Sequence, residues 1–255
     1  MRRASSIAVS AVLLPSVLAL AACSASSAKT NTAAASAPGV PAASNVGLTS
    51  AQANAAINSA VGNATALHVK GSMGSGAQLI SMDIQFDKNS AQGTLVEGPT
   101  TIPFIAVNGT SYIEFTSSLL AAAGSESGQS SAAANQLLLN KWVSSTSSLG
   151  SSIASSFTPF MSLSAFTKQV TSSSDKLTSD GTATVDGQAV ANYKDVDTSQ
   201  TPPVTEVLSL MQNGPALPLQ VAGSGTEAGT MTFTWNQPTT ITAPPASEIY
   251  SGPGA

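Results

Sequence analysis

Ile80-Ser81-Met82-Asp83-Ile84-Gln85-Phe86 sets apolar and polar residues in strict alternation. Side chains at neighbouring strand positions point to opposite faces of a sheet. The stretch therefore reads as a strand with Ile80, Met82, Ile84 and Phe86 turned toward a core and Ser81, Asp83 and Gln85 turned away. Asp87-Lys88-Asn89-Ser90 turns the chain, and Thr94 to Glu97 returns it. Further on, Ile102 to Val107 and Thr110 to Phe115 flank Asn108-Gly109, a hairpin signal because both turn residues tolerate positive φ. Pro103 predicts an edge or bulge position, since proline has no ladder N–H to donate.

Upstream of this β region, Thr49 or Ser50 can cap a helix whose Ala53, Ala56, Ile57, Ala60, Val61 and Ala64 share one face. A stripe of such small residues brings a helix close to whatever it packs on. Downstream, Ser117 to Ala123 and Ala132 to Leu139 read as helices separated by a Gly/Ser/Glu loop, and Lys141-Trp142-Val143 reads as a short strand. Thr158-Pro159 looks like a cap followed by a first-turn proline, opening a helix with Phe160, Leu163, Phe166 and Val170 at helical spacing. Asp180-Gly181, Asp186-Gly187 and Asn213-Gly214 predict three more hairpin turns. Met231, Phe233 and Trp235 alternate with Thr230, Thr232 and Thr234 in a second clear strand. Gln237-Pro238 and Pro244-Pro245 bound a last short strand around Ile241. The order helix, strands, helices, strands predicts an α+β domain with an antiparallel sheet rather than a βαβ fold.

The first 22 residues read differently from the rest. Met1-Arg2-Arg3 supplies a positive head, Ile7 through Leu20 an apolar run, and Leu20-Ala21-Ala22-Cys23 a small-residue cleavage site. The residue after the cut is the only cysteine in the protein. This resembles the lipobox of bacterial lipoproteins, in which the thiol is lipidated and the signal then removed. A transmembrane helix needs about 20 apolar residues, more than this run with its Pro15 offers. Residues 23–45 are almost wholly Ala, Ser, Thr, Asn, Pro and Gly. They bury too little apolar surface to offset ordering entropy and are expected to form a flexible tether. The expected body spans residues 46–250, and 251–255 reads as a frayed tail.

Composition removes several function classes. Without Arg2 and Arg3 the chain holds 7 basic and 13 acidic side chains, the wrong sign for a nucleic-acid partner. Charged residues are 9% of the sequence, against about 25% in typical domains, and Ser, Thr, Asn and Gln take their place. No second cysteine exists to form a disulfide. Hydrolysis needs a nucleophile and a base. The one histidine, His68, sits at a helix-to-strand transition and reads as a strand residue facing water or a neighbour. Ser173-Ser174-Asp175-Lys176 satisfies Ser-x-x-Lys, but its Ser-Asp-Asn and Lys-Thr-Gly companions are missing, so a serine-rich chain explains it. Asp83, Glu97, Glu114, Asp186, Asp195 and Asp197 are the interior carboxylates. Asp195 and Asp197 share a strand face, too few oxygen ligands for Ca²⁺. No catalytic residue, metal or cofactor is expected.

Taken together, the lipobox at Cys23, the tether and the leading helix running into Leu67-His68-Val69-Lys70-Gly71 resemble the LolA-like lipoproteins of actinobacterial cell envelopes, the LppX, LprA, LprF and LprG family. The Val185-Asp186-Gly187-Gln188 hairpin and the closing Ile241-to-Tyr250 segment add to the likeness. The resemblance implies a strongly curved antiparallel β-sheet, a half-barrel with helices across its concave face. Between sheet and helices it implies an apolar cavity for the acyl chains of a lipid or glycolipid, with no catalysis. On residues alone Ile80, Met82, Ile84, Phe86, Phe160, Leu163 and Phe166 read simply as core; the resemblance makes them candidate cavity lining. The expected protein sits on the outer face of the membrane, held by lipid on Cys23. The competing expectation is a surface lipoprotein with a closed core that works through a protein partner. Cys23→Ser should abolish metabolic lipid labelling and leave precursor or soluble protein, because stable attachment needs acyl chains at ~0.8 kcal/mol per buried methylene. Unchanged mass and membrane fractionation would contradict the lipobox.

Overall fold

A computed structural model of the chain describes residues 43–127, 132–171, 176–199 and 203–252. The chain divides into Met1–Val40 and Pro41–Ala255, and every described residue belongs to the second unit. The expected signal peptide, Cys23, most of the tether and Ser173 lie outside the described residues.

The leading helix, α1 (Ser50–Gly62), is capped by Thr49, whose side chain accepts from the Gln52 backbone while the Gln52 side chain returns the bond. Then come β1 (Ala66–Met73), β2 (Ile80–Asp87), β3 (Ala91–Glu97), β4 (Thr100–Val107) and β5 (Thr110–Glu114). Next are α2 (Ser117–Ser127), α3 (Ala132–Leu138), β6 (Trp142–Ser144), α4 (Ser148–Ala154), a 3-10 helix Ser155–Phe160 and α5 (Leu163–Thr171). The chain ends with β7 (Thr178–Val185), β8 (Gln188–Asp197), β9 (Val204–Met211), β10 (Pro218–Gly223) and β11 (Gly229–Trp235).

All eleven strands join one curved, open sheet in the order β6-β5-β4-β3-β2-β1-β11-β10-β9-β8-β7. Every pairing between these strands is antiparallel. Two meanders thus grow outward from the central β1–β11 pair, which runs from Leu67 opposite Trp235 to Ser72 opposite Thr230. Because β6 and β7 stand at opposite edges, the segment between them must cross the sheet. It does so on the inner face as α4, the 3-10 helix and α5.

Helix α5 covers the β1–β4 half. Leu163 and Phe166 pack with Val69, Ile84, Phe86 and Phe104, and Phe166 stacks on Phe86 at 4.9 Å between ring centres. Helix α1 covers the other half, setting Ala53, Ile57 and Val61 against Ala191, Tyr193 and Leu210. A third cluster of Phe115, Leu120 and Val143 lies under α2 beside β6. Tyr193 has no exposed surface; its hydroxyl donates to the Asn45 carbonyl and accepts from Leu48 N–H. Asn45, expected as the last residue of the tether, is instead buried, its amide donating to Met211 O at 2.8 Å and Gly214 O at 3.1 Å. Among the described residues no helix is long and apolar enough to cross a membrane.

Several local expectations are altered. Asp180-Gly181 does not turn the chain. It lies inside β7, where the register with β8 shifts and Gly181 takes φ +81°, so the same positive-φ capacity forms a bulge. Ile241 is buried but lies in no strand; the prolines around it withhold ladder donors, and the segment is tied to the sheet by Thr239 to Gln85 and Tyr250 N to Trp142 O. The helix after Thr158-Pro159 begins later, at Leu163, with Ser162 accepting from Ala165 N–H, and Pro159 falls within the 3-10 helix. Pro103 is in an interior strand, yet the β5 ladder covers only Phe104–Val107. Just beyond it, Thr101 finds its partners in the Ser118 and Thr116 side chains, so a proline is tolerated there.

Gly71 sits in the central pair with φ +148°, and a Cβ there would stand 2.0 Å from Thr230 O. Gly71→Ala should destabilise the body by about 2–4 kcal/mol from strain and backbone collision, measured by denaturant unfolding.

Candidate functional site

The ladder registers stack inward-facing side chains in rows across the sheet. At one end the row runs Asp195, Glu206, Gly223, Gly229, Met73 and Ile80 over β8, β9, β10, β11, β1 and β2. The next row inward holds Leu208, Val221, Met231, Gly71 and Met82. Glycines at Gly71, Gly223 and Gly229 leave this end without bulk. Neither helix fills the gap, and a cavity of about 410 Å³ lies between the sheet and helices α1 and α5.

The wall is mostly apolar. Ile57 and Val61 come from α1, Phe160 and Phe166 from the crossing segment, and Met73, Met82 and Met231 from the central strands. Methionine side chains adapt to differently shaped guests at little cost. The Met73 methyl lies over Gly223, 2.8 Å from where a Cβ would stand. Trp235 donates its indole N–H to Pro218 O, and both residues line the deep end.

Of the seven residues singled out from sequence, Ile80, Met82, Phe160 and Phe166 line this cavity, whereas Ile84, Phe86 and Leu163 do not. All four strand residues face the same side. Those near the rim, Ile80 and Met82, stay partly open, while Ile84 and Phe86 are fully buried under α5.

The polar exceptions are Thr167, Asp195 and Glu206. Glu206 was missed by sequence reasoning, although its place in Val204–Met211 puts it on the face of Leu208 and Leu210. Its carboxyl is raised above the ordinary value of 4.5, mainly by burial, then by the charge and hydrogen bond of Glu227 and by the charge of Asp195. Glu227, in the 3-10 helix Gly225–Glu227, is exposed, so the acidic group stands at the cavity's wet end.

The residues weighed for catalysis lie elsewhere. His68 is on the opposite face of the sheet, where its Nε2 donates to Asp83 Oδ1 at 2.6 Å, and Lys70 Nζ lies 2.8 Å from Asp83 Oδ2. Lys70 first, and His68 second, hold the Asp83 carboxyl below its usual range. Asp195 lines the cavity, but Asp197 accepts from Ser199 N–H and Oγ–H at 2.8 and 2.6 Å. Among the described residues no group of three or more His, Cys, Asp or Glu is arranged to hold a metal ion.

No family model matches the sequence, and no curated protein matches it. The chain is similar to several solved structures, two of which show the likeness. One is the lipoprotein LppX of Mycobacterium tuberculosis, at 14% identity and TM-score 0.45, covering 74% of this chain and 96% of that one. The other is LprF of Mycobacterium bovis, at 15% identity and TM-score 0.47, covering 76% of this chain and 96% of that one.

A carboxyl whose folded-state pKa is raised favours folding below its unfolded value, and that contribution is lost as pH rises through the folded value. Glu206→Gln should therefore leave Tm unchanged well below pH 4.5 and raise it relative to wild type above that pH, the gap widening toward neutrality. A thermal melt series across that range checks the sign; a gap that narrows with rising pH would contradict it.

Proposed function

We propose that this protein is a non-enzymatic lipoprotein on the outer face of the membrane, anchored through Cys23, that binds or carries an acyl-chain-bearing lipid or glycolipid. The observation that carries the reading is the cavity of about 410 Å³ walled by three methionines, three phenylalanines, a tryptophan and aliphatic side chains, within the ~300–1,000 Å³ range of small-molecule sites. Its chemistry suits hydrocarbon. The wall offers few directional partners, so recognition rests on apolar area removed from water, roughly 25 cal/mol per Å². The signal and lipobox at residues 1–23 supply the address, and the acidic net charge disfavours nucleic acid.

Organic extraction of purified protein followed by mass spectrometry should recover lipid. A clean blank would favour the closed-core lipoprotein that acts through a protein partner. Two tryptophan substitutions on one strand sharpen the test. Met82→Trp should occupy the cavity and lower recovered lipid several-fold with little change in Tm. Ile84→Trp, in solid core, should destabilise by ~1–3 kcal/mol through overpacking. Equal lipid recovery from Met82→Trp and wild type would remove the cavity as the binding site.

A further inference from the structure

We propose that the outward face of the sheet carries a second binding site, a groove across β2–β6 that takes a neutral, hydroxyl-rich oligosaccharide. Asp83 and Gln85 of β2, Gln92 and Thr94 of β3, Ile105 of β4 and Trp142 of β6 line it. On β2 the groove residues alternate with Met82 and Ile84 of the inner face, so the sheet itself separates this groove from the cavity. Gln85 stands opposite Gln92, Asp83 opposite Thr94, and Gln92 opposite Ile105. From β2 to β6 is four strand steps, about 19 Å at ~4.8 Å each, room for more than one sugar ring.

The bonds already made decide what is left for a guest. Gln92 Nε2 donates to Gln85 Oε1 at 3.2 Å, and Thr239 Oγ1 donates to the same oxygen at 3.1 Å. Both amides are thereby oriented, leaving Gln85 Nε2 as a donor beside Gln92 Oε1 as an acceptor. The Thr94 hydroxyl serves in either sense, and each Asp83 oxygen keeps acceptor capacity beyond its one bond to Lys70 or His68. The Lys70 ammonium, 2.8 Å from Asp83 Oδ2, balances the one charge in the groove. A hydroxyl both donates and accepts, whereas carboxylate and phosphate only accept and ammonium only donates. Mixed donors and acceptors with a balanced charge therefore match neighbouring hydroxyls and give an ion no net attraction.

Ile105 and Trp142, half-buried on this outward face, supply apolar surface for the C–H side of a sugar ring. Trp142 is held in place by Glu114 of β5 on one side and Ile249 on the other, its carbonyl accepting from Tyr250 N–H at 2.8 Å. An aromatic wall fixed in advance spends little ordering entropy on binding. A peptide would instead seek an unpaired strand edge. Here β2 to β5 are paired on both sides, and β6 meets Ile249 on its outer side.

The protein has two tryptophans, Trp142 in this groove and Trp235 in the cavity. Trp235→Phe therefore leaves emission that reports the groove, and Trp142→Phe leaves emission that reports the cavity. The full chain carrying Cys23→Ser and either change is titrated with cellotetraose, maltotetraose and xylotetraose, and with tetragalacturonate and tetraalanine as anionic and peptide probes. At least one neutral tetrasaccharide should shift Trp142 emission saturably with a Kd of about 1 mM or below, and leave Trp235 emission unchanged. Tetragalacturonate and tetraalanine should bind at least about tenfold more weakly. Gln85→Met/Gln92→Met keeps side-chain length but removes the amides, and should weaken the sugar at least about tenfold. If a tryptophan variant does not fold, calorimetry on the Cys23→Ser chain with and without the paired methionine changes reads the same ranking and the same loss. No saturable binding by any of the three sugars at ~10 mM, a response from Trp235 instead, or unweakened binding in the methionine variant overturns the groove. Equal binding of tetragalacturonate or tetraalanine overturns its selection of hydroxyls. Lipid recovery from the cavity is a separate measurement, so each of these outcomes leaves the carrier reading standing.

Discussion

The pairing of β1 with β11 is the contact on which the rest of the body depends. It joins the start of the domain to its end, His68 opposite Thr234 and Gly71 opposite Met231, and so places the first and last strands at the centre of the sheet. The remaining strands are then ordered by short local turns, leaving β6 and β7 at opposite edges. At ~4.8 Å between neighbouring strands, ten steps put those edges some 48 Å apart along the sheet. Between Ser144 and Thr178 the chain must pass from one edge to the other, and the curved inner face offers the shorter path and cover for apolar helix stripes. The cavity is a by-product of this crossing. Helix α5 seals the β1–β4 half and α1 the β8–β9 half, and space is left between them over the glycine-bearing rim.

The closure of the other sites follows from the same geometry. Outside the inner face, His68, Lys70 and Asp83 satisfy one another across β1 and β2, leaving no nucleophile–base pair at that histidine. At the end of the sheet away from the rim, Asn45, whose carbonyl accepts from the Tyr193 hydroxyl, ties the incoming chain to the β9–β10 connection. The Tyr193 and Asn45 side chains are committed to backbone partners, whereas the carboxyls of Glu206 and Glu227 at the rim face one another. Among the described residues, the carboxyls that line the cavity stand at its rim.

Much of this was legible in the sequence where a local rule decides the structure. The alternation from Ile80 to Phe86 gave the strand and its inward face, and the Asn108-Gly109 and Asp186-Gly187 turns adopt the positive φ that makes two-residue hairpins. The Thr49–Gln52 cap was equally local. What failed was whatever needed a neighbour. Asp180-Gly181 bulges because β8 continues alongside it, and Pro103 is tolerated in mid-sheet because Ser118 and Thr116 stand in for β5. Period-2 spacing assigns Ile80 and Ile84 to one face but does not say that α5 covers only the latter. Glu206 was hidden for a like reason: its meaning comes from Asp195 on one neighbouring strand and Glu227 beyond another.

The size of the cavity bears on why it has a wet end at all. Space left by missing core atoms costs about 24 cal/mol per Å³, so a dry, sealed void of 410 Å³ would cost on the order of 10 kcal/mol. That is comparable with the whole stability of a domain, about 5–15 kcal/mol. A sealed version of this fold would therefore have to collapse, and the methionines on its wall would collapse readily. Asp195, Glu206 and Glu227 oppose that outcome. Drawing the rim shut would bring three carboxyls together and strip them of water, a cost that grows as they ionise. The burial already felt by Glu206 is the partial form of that cost. The rim thus favours a mouth open to solvent, and on the carrier reading proposed above a hydrocarbon chain entering there would exchange its own exposed surface for wall that the fold cannot cover by itself.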